Sequence, residues 1–141
     1  EKRVLKQVKL KPEFQKLLMV PGIGNILAMI IMLETGDISR FNKVGNYASY
    51  CRCVNSKRIS NRKQKGRGNR KNGNKYLSWA YMEAANLAIR FNTKAKQYYQ
   101  KKKAKTMRIV ALKALSHKMA RACYYVIKNN EDFDNQRLFS T

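Results

Sequence analysis

The sequence runs to 141 residues, of which 31 are Lys or Arg and 8 are Asp or Glu, for a formal net charge of +23. That length suits one modest domain, while 44% hydrophobic residues exceed what a disordered basic tail carries, and 7 Gly with 2 Pro exclude a linker or a fibre. The longest apolar run, Ile26 to Leu33, is far short of the roughly 20 residues that cross a bilayer, so a soluble, cytoplasmic, nucleoid-associated protein whose surface seeks a polyanion is expected, with no membrane as partner.

In chain order, Val4, Leu5 and Val8 recur at helical spacing between lysines, so residues 1–10 read as the end of a connecting helix from an earlier amino-terminal domain. Pro12 suits a first helical turn, and Phe14, Leu17 and Leu18 carry a helix-period stripe that stops at Val20 and Pro21. Pro21-Gly22-Ile23-Gly24 is a tight turn. Good helix formers follow until Gly36, where a glycine can take the left-handed closing position. Residues 12–36 are therefore expected to be two helices joined by a hairpin, within a domain spanning 11–129.

Leu18-x-Val20-x-Gly22-Ile23-Gly24-x-x-x-Ala28 has the spacing of a helix-hairpin-helix element. Gly22 and Gly24 are expected at positive φ, turning the backbone so that amides from Gly22, Ile23, Gly24 and Asn25 face a DNA phosphate. The same spacing also suits an ordinary αα-hairpin with a Pro-Gly turn. The charge of +23 favours the phosphate reading.

Asp37 and Ser39 can cap the next segment, in which Phe41, Val44, Tyr47, Ala48 and Cys51 sit three or four apart, as a short helix would place them. Residues 52–75 lose that pattern. From Val54 to Tyr76 there is no acid at all, whereas Lys57, Arg58, Arg62, Lys63, Lys65, Arg67, Arg70, Lys71 and Lys75 are cationic and Gly66, Gly68 and Gly73 punctuate the run. This reads as an exposed basic loop in which the cations replace the counterions of a nucleic acid. Ser60 lies inside it, between Arg58 and Arg62. A serine in such a loop is ordinarily only a hydrogen-bonding side chain, and spacing alone does not make it a nucleophile.

Residues 76–129 return to helical pattern. Leu77, Trp79, Ala80, Met82, Ala84, Ala85, Leu87 and Ala88 are dense enough in apolar side chains for a largely buried helix, and a second basic stretch from Lys94 to Lys105 includes Tyr98 and Tyr99. Thr106 can cap a long final helix with Ile109, Leu112, Leu115, Met119, Cys123 and Val126 on one face, ending at Asn129 and Asn130. Residues 130–141 read as a loose acidic tail. With no strand alternation, the fold class is all-α.

Three cysteines, Cys51, Cys53 and Cys123, are an odd number that argues for free thiols in a reducing compartment. Cys51-x-Cys53 lacks the spacer of a zinc knuckle, and His117 reads as a helix-packing or phosphate-facing residue. Glu34, Asp37 and Glu83 are too scattered to hold two magnesium ions, so no metal ligand is assigned in this chain.

Taken together, Pro21-Gly22-Ile23-Gly24, Gly36-Asp37-Ile38-Ser39-Arg40-Phe41, Tyr47-Ala48-Ser49-Tyr50-Cys51, Ile59-Ser60-Asn61 and Lys71-Asn72-Gly73-Asn74-Lys75-Tyr76-Leu77 resemble, in this order, the carboxy-terminal transposase domain of the DEDD transposases of bacterial insertion sequences. This is the one-hundred-and-ten family, the bridge-RNA-guided recombinases, and the similarity runs from Leu17 to about Lys128. The resemblance implies that Ser60 is the nucleophile that attacks the DNA backbone, through a covalent serine-DNA intermediate. It implies magnesium held by four acids in an amino-terminal domain outside this sequence, without which the fragment is inactive. It also implies DNA and a guide (bridge) RNA as partners and a homo-oligomer on DNA. The sequence departs from the family pattern at Arg62, where a glycine is expected, and at Arg67, where relatives often carry an acid. A non-catalytic nucleic-acid-binding module built on the same hairpin is the alternative.

Overall fold

The computed structural model describes residues 2–53 and 73–139. Among these the chain is all-α. In order come α1 (Lys2–Leu10), α2 (Pro12–Leu17), α3 (Asn25–Thr35), a short 3-10 turn (Ile38–Arg40), α4 (Val44–Tyr50), α5 (Lys75–Phe91), α6 (Thr93–Lys105), α7 (Arg108–Asn129) and α8 (Asn135–Leu138).

Local chemistry explains most boundaries. Pro12 occupies the start of α2, where its missing N–H costs nothing, and Glu13 complements the positive end of the same helix. Gly36 closes α3 at φ +64, its N–H donating to the Met32 carbonyl. Asp37 caps the 3-10 turn by accepting from the Ser39 amide and hydroxyl. Those hydrogen bonds hold the Asp37 carboxyl below its ordinary pKa. Asn74 and Asn92 cap α5 and α6 in the same way, each side-chain oxygen accepting from amides of the first turn.

The core is organised around α7, which packs against α2, α4, α5 and α6. Its buried side chains include Leu112, Leu115, Met119, Cys123, Tyr124 and Val126. The face expected from the sequence is therefore present except at Ile109, which is exposed at the helix start. Against it α5 turns Leu77, Ala80, Tyr81, Ala84, Ala85 and Ala88. The alanines let neighbouring backbones come close, and each fully buried Leu of this core contributes about 1.5–3 kcal/mol. A polar chain runs through the centre: the Thr35 and Tyr47 hydroxyls are 2.8 Å apart, and those of Tyr47 and Tyr81 2.9 Å. The Tyr124 hydroxyl donates to the Phe41 carbonyl at 2.8 Å. These bonds satisfy groups that burial would otherwise leave unpaired, and so set one arrangement of α3, α4, α5 and α7.

Two expectations are corrected. Thr106 does not cap the last long helix. Its hydroxyl donates back to the Lys102 carbonyl, closing α6, and α7 begins after Met107 without a side-chain cap. The acidic tail, expected to be loose, is docked: Phe133 and Phe139 pack against the core, Lys16 pairs with Asp132 at 2.9 Å, Lys118 donates to the Leu138 carbonyl and Asn92 to the Asn135 side chain. Apolar anchors inside an acidic segment hold it against basic helices.

Candidate nucleic-acid interface

The hairpin between α2 and α3 is closed by the amides of Met19, Val20 and Ile23, which donate to Lys16, Leu17 and Val20. Gly22 sits at φ +88, and a Cβ built there would lie 2.1 Å from the Ala84 carbonyl oxygen and 2.9 Å from the Ala88 nitrogen of α5. The close approach that needs this glycine is thus to the protein's own helix. The side chain of Ile23 is buried beside it. Gly24 differs from expectation. Its φ is −101, and nothing lies within 4 Å of an added Cβ.

What the hairpin turns outward begins at Gly24. Gly24, Asn25 and Ile26 are exposed, the first intrahelical bond is made by the Ala28 amide to the Gly24 carbonyl, and the first turn of α3 has neither a side-chain cap nor an acid. The amides of Asn25, Ile26 and Leu27 precede that bond, at the positive end of the helix dipole, in the arrangement that receives a phosphate oxygen.

Ser60, Arg58, Arg62, Lys63, Lys65, Arg67, Arg70 and Lys71 lie outside the described residues; the structure describes the two ends that flank them. The Cys53 amide donates to Ala48 at 3.0 Å and the Asn74 amide to the Tyr50 carbonyl at 2.7 Å. Gly73, at φ +106, brings its Cα so near that a Cβ would lie 2.7 Å from the same Tyr50 oxygen. The side chain of Asn74 completes the neck. Its oxygen accepts from the Tyr76 and Leu77 amides, and its amide nitrogen donates to Glu34 at 2.8 Å and to the Tyr50 hydroxyl at 3.3 Å. That bond, with Arg40 close by, holds the Tyr50 phenol below its usual pKa. Arg40 itself donates twice to the Thr35 carbonyl and lies over the Phe41 and Tyr50 rings, so its charge finishes α3.

Glu34 belongs to the last turn of α3, whereas Gly24 and Asn25 begin it. The hairpin amides and the junction of Tyr50 with Gly73 and Asn74, which flanks the cationic segment, therefore stand at opposite ends of one helix of 11 residues, about 16 Å apart at 1.5 Å per residue. Lys75, exposed at the start of α5, sits at the neck end, with its ammonium 5.4 Å from the Tyr76 ring centre.

A further basic surface lies at the turn joining α6 to α7. Every residue from 101 to 110 is exposed, including Lys101, Lys102, Lys103, Lys105 and Arg108. His117 and Lys118 on α7 are pushed below their usual pKa values, chiefly by burial and then by the Arg121 charge. Burial and the Arg121 charge favour the uncharged imidazole at the half-buried His117.

The cysteines are free and buried. Burial pushes the Cys53 thiol up to about 11 and that of Cys123 to about 12, with Cys51 higher still. Such thiols stay protonated and inert at neutral pH. No group of three His, Cys, Asp or Glu able to hold a metal ion occurs among the described residues, and none of their helices is long and apolar enough to cross a membrane.

Two features escaped the sequence reading. One is the clamp made by Asn74, whose position before an apolar helical run is a capping signal. The other is the exposure of Tyr76 and Trp79, which apolar density had assigned to a buried helix.

In a comparison with known families, residues 14–100 match the family described as Transposase IS116/IS110/IS902. No curated protein and no solved structure matches the chain.

Proposed function

Because the chain belongs to the transposase IS116/IS110/IS902 family, we propose that it binds DNA and supplies the serine nucleophile for strand cleavage and exchange in transposition. The observation that carries the reading is the family match itself, which spans the hairpin, the basic loop and α5. The net charge of +23 and the uncapped start of α3 support it from the side of physical chemistry. Phosphate is bound twice, at Gly24 and Asn25 and again at the neck with Lys75 and the cations of the loop. The separation of about 16 Å corresponds to about five base-pair steps of 3.4 Å.

In this reading the Ser60 hydroxyl attacks a backbone phosphorus. A serine-phosphate ester forms, the bond from phosphorus to the leaving deoxyribose oxygen breaks, and the serine proton ends on that oxygen. Arg58 and Arg62, nearest in sequence, offset the charge that builds on the phosphoryl oxygens. Exchange reverses the step with a hydroxyl from the other strand. The described residues do not fit a two-magnesium site, so no step is assigned to a metal ion held by them. A guide RNA and a homo-oligomer on DNA complete the proposal.

Two measurements test it. Affinity of the 141-residue chain for mixed-sequence duplex DNA should fall by about three orders of magnitude between about 50 and about 200 mM salt, as neutralising six or more phosphates requires. A flat salt response overturns the DNA assignment. In the complete recombinase, supplied with magnesium and guide RNA, Ser60→Ala should abolish a covalent protein-DNA adduct while changing DNA affinity less than about threefold, because an uncharged hydroxyl contributes little beside the cations. An adduct that persists, or that maps to Ser49 or Ser56, removes Ser60 from the role. DNA binding with no adduct from the unsubstituted protein leaves the non-catalytic module.

A further inference from the structure

The first two turns of α5 carry an aromatic pair on the outside. Tyr76 and Trp79 are 54% and 51% exposed, although Leu77, Ala80 and Tyr81 between and beyond them are fully buried. Three residues apart on a helix, the two side chains are neighbours on one stripe. Lys75 adjoins them. The stripe continues through the half-buried Glu83, one turn beyond Trp79, to the exposed Asn86 and Arg90.

An aromatic pair is an unusual choice for a solvent-facing stripe, and this one is firmly mounted. Asn74 caps the helix immediately before it, Gly73 is wedged against the Tyr50 carbonyl, and the opposite face of α5 lies in the core. The electrostatics point to an anion. From Ile38 to Met82 the sequence has no acid, and Glu34, the carboxylate nearest the neck, is engaged by the Asn74 amide at 2.8 Å. Glu83 stands at the far side of Trp79 from Lys75.

We propose that Tyr76 and Trp79 form a stacking ledge for an unpaired base of a DNA strand, with Lys75 holding the adjoining phosphate. This rests on the DNA-binding reading and goes beyond it by assigning a single-stranded partner to a site outside the hairpin and the serine loop. Inside a duplex each base face is covered by its neighbours, so a ring on a convex helix can only be met by a base that has left the stack. A cation beside two aromatic faces is the composition of single-strand sites, where the ring takes the base without reading its identity.

Trp79 is the only tryptophan, so it reports directly on its own contact. The 141-residue chain is titrated with an oligothymidylate, with a duplex of equal charge and with the matching oligouridylate, while tryptophan emission and affinity are followed. Oligothymidylate should quench Trp79 strongly, and the duplex should bind without doing so. Trp79→Ala and Tyr76→Ala should each weaken oligothymidylate binding roughly tenfold, as loss of one stacked base predicts, and leave duplex affinity unchanged. Trp79→Phe should keep the affinity. Because both side chains are exposed, the helical circular dichroism should not change.

Equal quenching by the duplex overturns the ledge, as does Trp79→Ala binding like the unsubstituted chain. Quenching by oligouridylate at far lower concentration makes the occupant RNA and overturns the DNA assignment. Emission that shifts with protein concentration alone makes the patch a contact between copies. Failure of the chain to bind any nucleic acid is a separate result, which overturns the underlying function.

Discussion

Gly22 and Gly24 look equivalent in sequence, and the structure makes opposite demands on them. Gly22→Ala adds a methyl group at φ +88, a conformation costing an L-residue about 1–2 kcal/mol, and places that methyl 2.1 Å from the Ala84 carbonyl oxygen and 2.9 Å from the Ala88 nitrogen. Both obstacles are helix backbone, which cannot rotate aside. The hairpin must lift from α5, and overpacking of this kind costs about 1–3 kcal/mol more. The sum is about 2–5 kcal/mol, a large part of the 5–15 kcal/mol that holds an ordinary domain. With a urea slope of about 1–3 kcal/mol per molar, the unfolding midpoint should fall by at least about 0.7 M. Gly24→Ala, at φ −101 with open space around it, should leave the midpoint within about 0.5 M, since only the modest preference for Gly over Ala at a helix cap is lost. Urea titrations followed by circular dichroism at 222 nm give both values. A Gly22→Ala midpoint equal to that of Gly24→Ala would refute the packing of the hairpin on α5.

Further outcomes follow from the same contacts. Tyr47→Phe should cost about 1–3 kcal/mol in chemical denaturation, because the Thr35 and Tyr81 hydroxyls both lose the partner between them while buried; a neutral result would mean that water or another group replaces it. Asn74→Ala should destabilise by about 1 kcal/mol or more through the lost cap and lower protection of the Tyr76 and Leu77 amides in hydrogen exchange, whereas Asn74→Asp, which keeps the capping oxygen but faces Glu34, should not restore it. Stability should decline in alkali. Cys53 and Cys123 hold their protons to about 11 and about 12 in the folded state, while an unfolded thiol releases its proton near 8.5. The unfolded chain thus binds fewer protons above about pH 8.5, and unfolding is favoured by up to about 1.4 kcal/mol per pH unit for each thiol. Equal urea midpoints at about pH 7.5 and about pH 9.5 would contradict this linkage.

Much of this protein is local chemistry and was readable as such. Apolar residues at helical spacing announced α2, α3, α4, α5 and α7, and the glycines at 22 and 36 announced breaks, because each depends on neighbours within a few positions. Five short motifs in order were enough to reach the family, although no property of a single residue singles out Ser60. Tertiary structure decided which face of each element met which neighbour. Gly22 needs its hydrogen for its turn at φ +88 and also because Ala84 and Ala88, more than sixty positions later, pass beside it. Apolar density along α5 could not tell that Tyr76 and Trp79 face outward, since that depends on where α3 and α7 leave room. Acidic composition suggested a loose tail, and Lys16, Asn92 and Lys118 hold it down from distant parts of the chain. Periodicity shows that a side chain belongs to a stripe; the partner of that stripe is set by contacts between residues remote in sequence, and here those contacts separate the hairpin from the junction of Tyr50 with Gly73 and Asn74 by the full length of α3.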